Sequence, residues 1–136
     1  MKKFVLEDYY DILNLHKALM EAKFHDNPQN EDIQGSPILA RIMNEIVEIL
    51  SEMEPNGSAK WIDWRKLRNH LQSTNNQGYG KTTWSNMVDR ASKNKLWIKY
   101  SRDKKVSVTK DYFSPFVLEE TEIENFINII DAKLLK

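Results

Sequence analysis

The sequence predicts a mainly α-helical domain that contains one small β-hairpin. Apolar residues recur at helical spacing in several segments, and capping residues such as Asp8 and Ser36 precede two of them. Residues 96–100 and 105–109 instead alternate as the two strands of a hairpin do. A chain of 136 residues is typical of one domain with one core, so we expect a single domain over 1–136.

Composition excludes several classes of protein. The chain has no cysteine, which excludes disulfides and thiolate metal sites and is compatible with a reducing compartment. It has no apolar run near the ~20 residues of a membrane span, and its start does not suit a signal peptide. We therefore expect a soluble intracellular protein, in the cytoplasm, the nucleoid or the nucleus.

Charge is distributed unevenly along a chain whose net charge is zero. Residues 60–112 hold 13 Lys and Arg against 4 Asp and Glu, a net charge of +9. Residues 1–59 carry −6 and residues 113–136 carry −3. A basic centre between acidic flanks indicates a polyanion-binding face. The alternative is that these basic side chains only solvate exposed helix faces and pair with the acidic flanks.

Capping residues and apolar stripes predict the first two helices. Residues 8–24 carry one apolar stripe, and Asp8 is placed to cap its start. Ser36 begins the second helix, over 36–53, and Pro37 fits its first turn because the missing N–H costs little there. The polar residues 25–36 predict a connecting loop.

The basic centre predicts two helices separated by a polar turn. A short strand over 58–62 leads into a helix over 63–72, and the glycine-rich residues 73–80 predict the turn. The next helix runs from Thr82 or Thr83 to Asn94. Its apolar face holds Trp84, Met87, Val88 and Ala91, and its opposite face holds Thr82, Asn86, Asp89, Arg90 and Lys93.

The alternating residues 96–109 predict the hairpin, with its turn at 101–104. Leu96 and Ile98 would lie on the buried face, together with Val106 and Val108. Trp97 alternates away from them and is the best candidate for an exposed aromatic, although packing against the terminal helices is the favoured interpretation.

A last amphipathic helix is predicted over residues 117–135. Its apolar stripe consists of Ile123, Phe126, Ile127, Ile130 and Leu134. Ile129 and Leu135 widen the stripe beyond one narrow face. This excess apolar surface packs either on the first helix or on a second subunit, as in a homodimer formed through the terminal helices.

The order of these elements resembles a winged-helix domain over about residues 36–110. Helix, short strand, two helices and a hairpin follow one another as they do in that superfamily. The resemblance implies that helix 82–94 is a recognition helix that enters the major groove, and that residues 102–105 form a wing tip on neighbouring phosphates. The segments 1–35 and 111–136 would be helical extensions of this fold.

A narrower set of residues resembles the LOTUS (OST-HTH) variety of winged helix. Trp64-Arg65-Lys66-Leu67 is followed by Tyr79-Gly80 before a helix, and by Val106-Ser107-Val108 at the end of the hairpin. That family is associated with RNA and with helicase partners. The resemblance therefore implies RNA as an alternative ligand.

Gly80-Lys81-Thr82 resembles the end of a nucleotide-binding phosphate loop, but its surroundings exclude one. The motif requires Gly where Asn75 stands, and a hydrophobic strand before the loop. The start of the helix still favours a backbone phosphate, with ordinary capping as the alternative. The three histidines share no metal spacing, and no catalytic signature is present. We expect no metal, no cofactor and no enzymatic activity.

These observations favour a non-enzymatic winged-helix DNA-binding protein, such as a regulator of transcription or replication, that binds double-stranded DNA. The alternatives are a protein-interaction module that docks an acidic partner, and an RNA-binding LOTUS-like domain. The predicted nucleic-acid contacts are Arg65, Lys66, Lys81, Thr82, Thr83, Asn86, Arg90, Lys93, Arg102, Lys104 and Lys105.

Overall fold

A computed structural model describes residues 2–25, 30–53 and 80–135, and these residues form helices and turns. Two 3-10 helices, Glu31–Ile33 and Trp97–Lys99, accompany the α-helices. The α-helices are α1 Tyr9–Lys23, α2 Pro37–Glu52, α3 Gly80–Ser92, α4 Arg102–Phe113 and α5 Glu120–Leu134. None of the helices in these ranges is both long and apolar enough to cross a membrane.

The first two helices are confirmed together with their caps. The side chain of Asp8 accepts hydrogen bonds from the backbone N–H of Tyr10 (2.8 Å) and Asp11 (3.4 Å). Ser36 Oγ accepts one from the backbone N–H of Leu39 (3.1 Å), with Pro37 in the first turn. Each cap satisfies amides that a helix start leaves without an internal partner.

The predicted β-hairpin is wrong. Residues 96–109 are all described, and they contain no strand. The first half forms the 3-10 helix Trp97–Lys99, and the second half belongs to α4. The fold class predicted from the sequence, mainly α with a hairpin wing, is therefore replaced by an all-helical arrangement over the described residues.

Helical packing overrides the strand-like alternation of residues 105–109. Ser101 Oγ accepts a hydrogen bond from the backbone N–H of Lys104 (3.1 Å), which begins α4. Thr109 and Phe113 are buried four residues apart, with Val106 packed beside them. β-branched residues favour strands only weakly, so this buried helical stripe decides the structure.

The main core lies where α3, α4 and α5 meet. Phe126 of α5 is fully buried and makes edge-to-face contacts with three aromatic rings. The ring centroids lie 5.2 Å away for Phe113, 5.5 Å for Trp84 and 6.4 Å for Trp97. Such aromatic pairs stabilise a core by about 0.5–1.5 kcal/mol each beyond the burial of their surface.

The stripe predicted for the last helix lies in this core. Ile123, Phe126, Ile127 and Ile130 of α5 are buried, Leu134 is half-buried, and the helix packs against α3 and α4. A smaller apolar cluster joins α1 to α2, formed by Tyr9, Ile12, Leu13, Ile46, Val47 and Leu50.

Lys23, at the end of α1, is fully buried and ties this helix to the end of α4. Its Nζ donates hydrogen bonds to the backbone carbonyls of Asp111 and Ser114, both at 2.6 Å. Burial lowers the pKa of Lys23 to about 7, against the opposing effect of the Asp111 carboxylate. Burial in turn raises the pKa of Asp111, and the Lys23 charge offsets part of that rise.

His16, on the buried face of α1, should make the fold sensitive to acid. Burial lowers its pKa to about 4 from 6.5, and the charge of Lys17 adds to the effect. Between these two pH values the unfolded chain binds a proton that the folded chain does not. Stability should therefore fall as the pH drops from 6.5 towards 4, by about 2–3 kcal/mol for this group.

Denaturant unfolding of wild type and His16→Leu at several pH values in this range measures the contribution of His16. The substitution should flatten the pH dependence. His25→Gln, which changes an exposed histidine, should retain the wild-type slope. Equal slopes in all three proteins would contradict a buried, neutral His16.

Candidate nucleic-acid interface

The largest concentration of exposed positive charge in the described residues lies between the end of α3 and the first turn of α4. We call residues 93–104 the basic turn. Its five basic side chains, Lys93, Lys95, Lys99, Arg102 and Lys104, are all exposed, and Asp103 is its one acidic residue. The stretch therefore presents a net charge of +4 to solvent within twelve residues.

Backbone hydrogen bonds hold the basic turn in a compact shape. The N–H of Trp97 bonds to the carbonyl of Asn94 (3.1 Å), and the N–H of Tyr100 bonds to that of Trp97 (3.0 Å). The side chain of Asn94 accepts from the N–H of Leu96 (3.0 Å) and donates to the Tyr100 hydroxyl (3.4 Å). The lysines thus project from a backbone whose polar groups are largely satisfied.

Trp97 anchors the basic turn to the core. Its ring is fully buried, and its Nε1 donates a hydrogen bond to Asp131 Oδ1 of α5 (2.8 Å). Lys105 Nζ lies 2.9 Å from the same oxygen and 5.8 Å from the centroid of the Trp97 ring. The exposed aromatic considered from the sequence is thus an internal anchor, in agreement with the favoured interpretation of packing on a terminal helix.

Asp131 is ionised in this arrangement. Burial alone would raise its pKa, but the hydrogen bonds from Lys105 and Trp97 outweigh burial and hold the pKa below its usual range. Lys105 is consequently committed to an internal ion pair with only 16% of its side chain exposed. It contributes to the shape of the basic turn more than to its outer charge.

The predicted contact residues on α3 are only partly open to solvent. Thr83 is buried, and Asn86 and Arg90 are half-buried. Arg90 Nε donates a hydrogen bond to the buried side chain of Gln34 (2.9 Å). Lys93 lies just beyond the helix with its Nζ 3.1 Å from Asp89, and both of these side chains are mostly exposed.

The predicted contacts of the wing lie instead on the first turn of α4. Arg102 forms an exposed ion pair with Glu124 of α5, whose hydrogen bond raises the pKa of Arg102. Lys104 is exposed, with its Nζ 5.8 Å from the centroid of the Tyr100 ring. Arg102 and Lys104 thus belong to the basic turn, with Lys105 directly after it, rather than to the tip of a hairpin.

The remaining predicted contacts are Lys81, Thr82, Arg65 and Lys66. Lys81 and Thr82 lie in the first turn of α3. Arg65 and Lys66 fall outside the described residues, as do the predicted strand 58–62, the helix 63–72 and most of the turn 73–80.

Sequence reasoning missed Lys95 and Lys99. A helix continuing to Asn94 would place Lys95 on the same side as the apolar residues of α3, but the helix ends at Ser92 and leaves Lys95 exposed. Neither lysine forms a salt bridge with another described residue. The available signal was their charge on either side of the three apolar residues 96–98.

Exposed aliphatic side chains accompany these lysines. Leu96 and Ile98 are 54% and 66% exposed on either side of the buried Trp97. Ile98 also borders an open cleft of about 210 Å³, whose other walls are Lys105, Asp131, Leu134 and Leu135.

Among the described residues, no three His, Asp or Glu side chains are grouped so that they could hold a metal ion.

Comparison of the chain with protein-family models, with curated proteins and with solved structures gave no match. Function is therefore inferred from the charge and geometry of the chain itself.

Proposed function

We propose that this protein binds nucleic acid without catalysing a reaction, and that the basic turn holds the phosphate backbone. Duplex DNA is the favoured ligand, and RNA is the alternative. The observation that carries the proposal is the set of five exposed basic side chains within residues 93–104, opposed by one acid. Clustered basic side chains on one surface are the electrostatic signature of nucleic-acid binding.

Three of these side chains supply most of the available charge. Lys95, Lys99 and Lys104 form no salt bridge with another described residue, whereas Lys93 and Arg102 have partners in Asp89 and Glu124. Like charges held close together repel one another, and a row of phosphates relieves that repulsion. Each phosphate that a lysine neutralises also releases condensed counterions, which favours binding at low salt.

Binding should depend little on base sequence. Discrimination between bases requires side chains that reach base edges in a groove. The outward face of α3 was the predicted source of such side chains, but Arg90 is bonded to Gln34 and Asn86 is half-buried. The remaining exposed lysines favour phosphate contacts, which position a ligand without identifying its sequence.

Fluorescence anisotropy with a labelled DNA duplex tests the proposal. We expect wild type to bind at low salt and to lose about 40-fold in affinity between about 50 and 200 mM salt, if three phosphates are contacted. The variant Lys95→Ala/Lys99→Ala/Lys104→Ala should bind more weakly. The slope of its log affinity against log salt concentration should be smaller in magnitude by about 2–3.

A matched variant distinguishes the effect of charge in the basic turn from the effect of the total charge of the chain. Lys17→Ala/Lys110→Ala/Lys133→Ala removes three exposed lysines outside the basic turn and should retain most of the binding. Equal losses in the two triple variants would argue against a specific surface, and absence of wild-type binding at low salt would refute the proposal. Competition with single-stranded and structured RNA determines which nucleic acid is preferred.

A further inference from the structure

The outer face of α2 carries an apolar stripe with acidic neighbours. Ile38, Ile42 and Ile49 are 63%, 37% and 46% exposed. At ~100° per residue, they fall with Glu45 and Glu52 within an arc of about 80° on the side away from the core. We call these five residues the acidic stripe. Glutamates on the surface of a helix are ordinary, but three exposed isoleucines on the same line are not required by the fold.

A second exposed apolar surface carries the opposite charge. Leu96 and Ile98 of the basic turn adjoin Lys95 and Lys99, and Leu135, which is 85% exposed, lies across the cleft from Ile98. We call these five residues the basic patch. The acidic stripe and the basic patch do not cover each other within one chain, because the apolar side chains of both are exposed.

We infer that the acidic stripe of one copy docks on the basic patch of another copy of this chain. The two surfaces match in kind, since each combines three large aliphatic side chains with charges of one sign, and the signs are opposite. Glu45 also forms an exposed ion pair with Arg41 (3.5 Å), which a lysine of the partner copy would share or replace. The chain as a whole has no net charge, so copies lack the mutual repulsion that keeps proteins apart. Electrostatic attraction between the acidic and the basic surface would bring the aliphatic side chains of the two copies into contact.

The cleft beside Ile98 gives one apolar side chain of the stripe a place to bind. Its volume of about 210 Å³ exceeds the ~150 Å³ that accommodates a benzene-sized group, so an isoleucine side chain fits it. Apolar walls from Leu134 and Leu135 would pack on that side chain. The paired charges of Lys105 and Asp131 lie at the same cleft and are already satisfied by each other.

The resulting association is head-to-tail, because two different surfaces meet. If the stripe of each copy meets the patch of the other at the same time, the result is a closed two-fold dimer; otherwise one stripe and one patch stay unused at the ends, and rings or open chains form. Both surfaces are small, so we expect weak and concentration-dependent association at the low end of interface sizes. Lys95 and Lys99 belong to both surfaces, but the inference does not depend on nucleic-acid binding, because association is measured on the protein alone.

Sedimentation velocity over about a hundredfold range of concentration tests the inference on the full chain. Wild type should associate at low salt and dissociate at about 0.5 M salt, where exposed charges are screened. Two charge-reversal variants, Lys95→Glu/Lys99→Glu and Glu45→Lys/Glu52→Lys, should each remain monomeric at concentrations where wild type associates. In each variant the stripe and the patch have the same sign.

Recombining the substitutions distinguishes docking from misfolding. A mixture of the two variants should associate again, because every stripe then meets a patch of opposite sign. A single chain with all four substitutions should also associate. Monomeric wild type throughout the concentration range, or failure of both the mixture and the four-substitution chain to associate, would overturn the inference.

Nucleic-acid binding provides an independent readout. Glu45→Lys/Glu52→Lys leaves the lysines of the basic turn unchanged and should still bind duplex DNA. Loss of self-association with retained DNA binding is the expected result for this variant. If DNA binding fails in wild type while the charge-reversal pattern holds, the proposed function is wrong and the docking inference stands.

Discussion

Phe126→Ala should destabilise the fold by about 3–5 kcal/mol, the cost of deleting a large aromatic side chain from a packed core. Phe126 is fully buried and packs against the rings of Trp84, Trp97 and Phe113, so its truncation would leave a cavity lined by these rings. The melting temperature should fall by roughly 10–20 °C. Chemical denaturation monitored by tryptophan fluorescence measures the change in unfolding free energy.

Phe4→Ala provides the matched control for this truncation. Phe4 is 86% exposed before the start of α1, so its removal should change stability by less than about 0.5 kcal/mol. Comparable losses in the two variants would mean that Phe126 is not a central element of the core.

The buried amine of Lys23 should make the protein more stable as the pH rises above neutral. The folded chain loses this proton near pH 7, whereas the unfolded chain keeps it until about 10.5. The unfolded state therefore binds more protons in this window, and the free energy of unfolding increases with pH. We expect a gain on the order of 2–3 kcal/mol between pH 7 and 9.5.

Lys23→Met removes the titrating amine and should flatten the rise of the unfolding free energy with pH. Lys17→Met changes an exposed lysine on the same helix and should leave the rise in place. Urea unfolding at half-unit intervals of pH measures the slope for the three proteins. A wild-type curve that is flat or falling over this window would show that Lys23 remains charged in the folded state.

The sequence predicts the helices whose ends carry strong local signals. Asp8 and Ser36 cap α1 and α2, and the stripe from Ile123 to Ile130 marks α5. These signals are local, because a cap satisfies neighbouring amides and a stripe fixes one face of one helix. These helices can therefore be predicted without knowledge of the surrounding fold.

The region from Leu96 to Phe113 has no such agreement between local signals. Its alternation of apolar residues favours strands, whereas Ser101 and the spacing of Val106, Thr109 and Phe113 favour a helix. The choice between strand and helix depends on which of these side chains the rest of the chain buries. Trp97 fits the core beside Phe126, and this leaves Leu96 and Ile98 outside, the reverse of the predicted burial.

The candidate site is predictable in its charge and much less in its contacts. The excess of Lys and Arg in the basic centre follows from counting, whereas Lys93 is predicted from the polar face of a helix, and Arg102 and Lys104 from a hairpin turn that the structure lacks. The hydrogen bond from Arg90 to Gln34 joins residues 56 positions apart, and the ion pair of Lys105 with Asp131 joins residues 26 positions apart. Pairings over such distances depend on the tertiary fold, which no local pattern contains.

The anchoring of Trp97 determines how much conformational entropy a ligand would have to remove from the basic turn. Its buried ring and its hydrogen bond to Asp131 fix the backbone on which Lys95 and Lys99 stand. Ordering a flexible segment costs about 1–2 kcal/mol per residue in backbone freedom alone. Here only the long lysine side chains remain to be ordered, at about 0.5–1.5 kcal/mol each. Folding the core has therefore already ordered the backbone that any partner of this surface would contact.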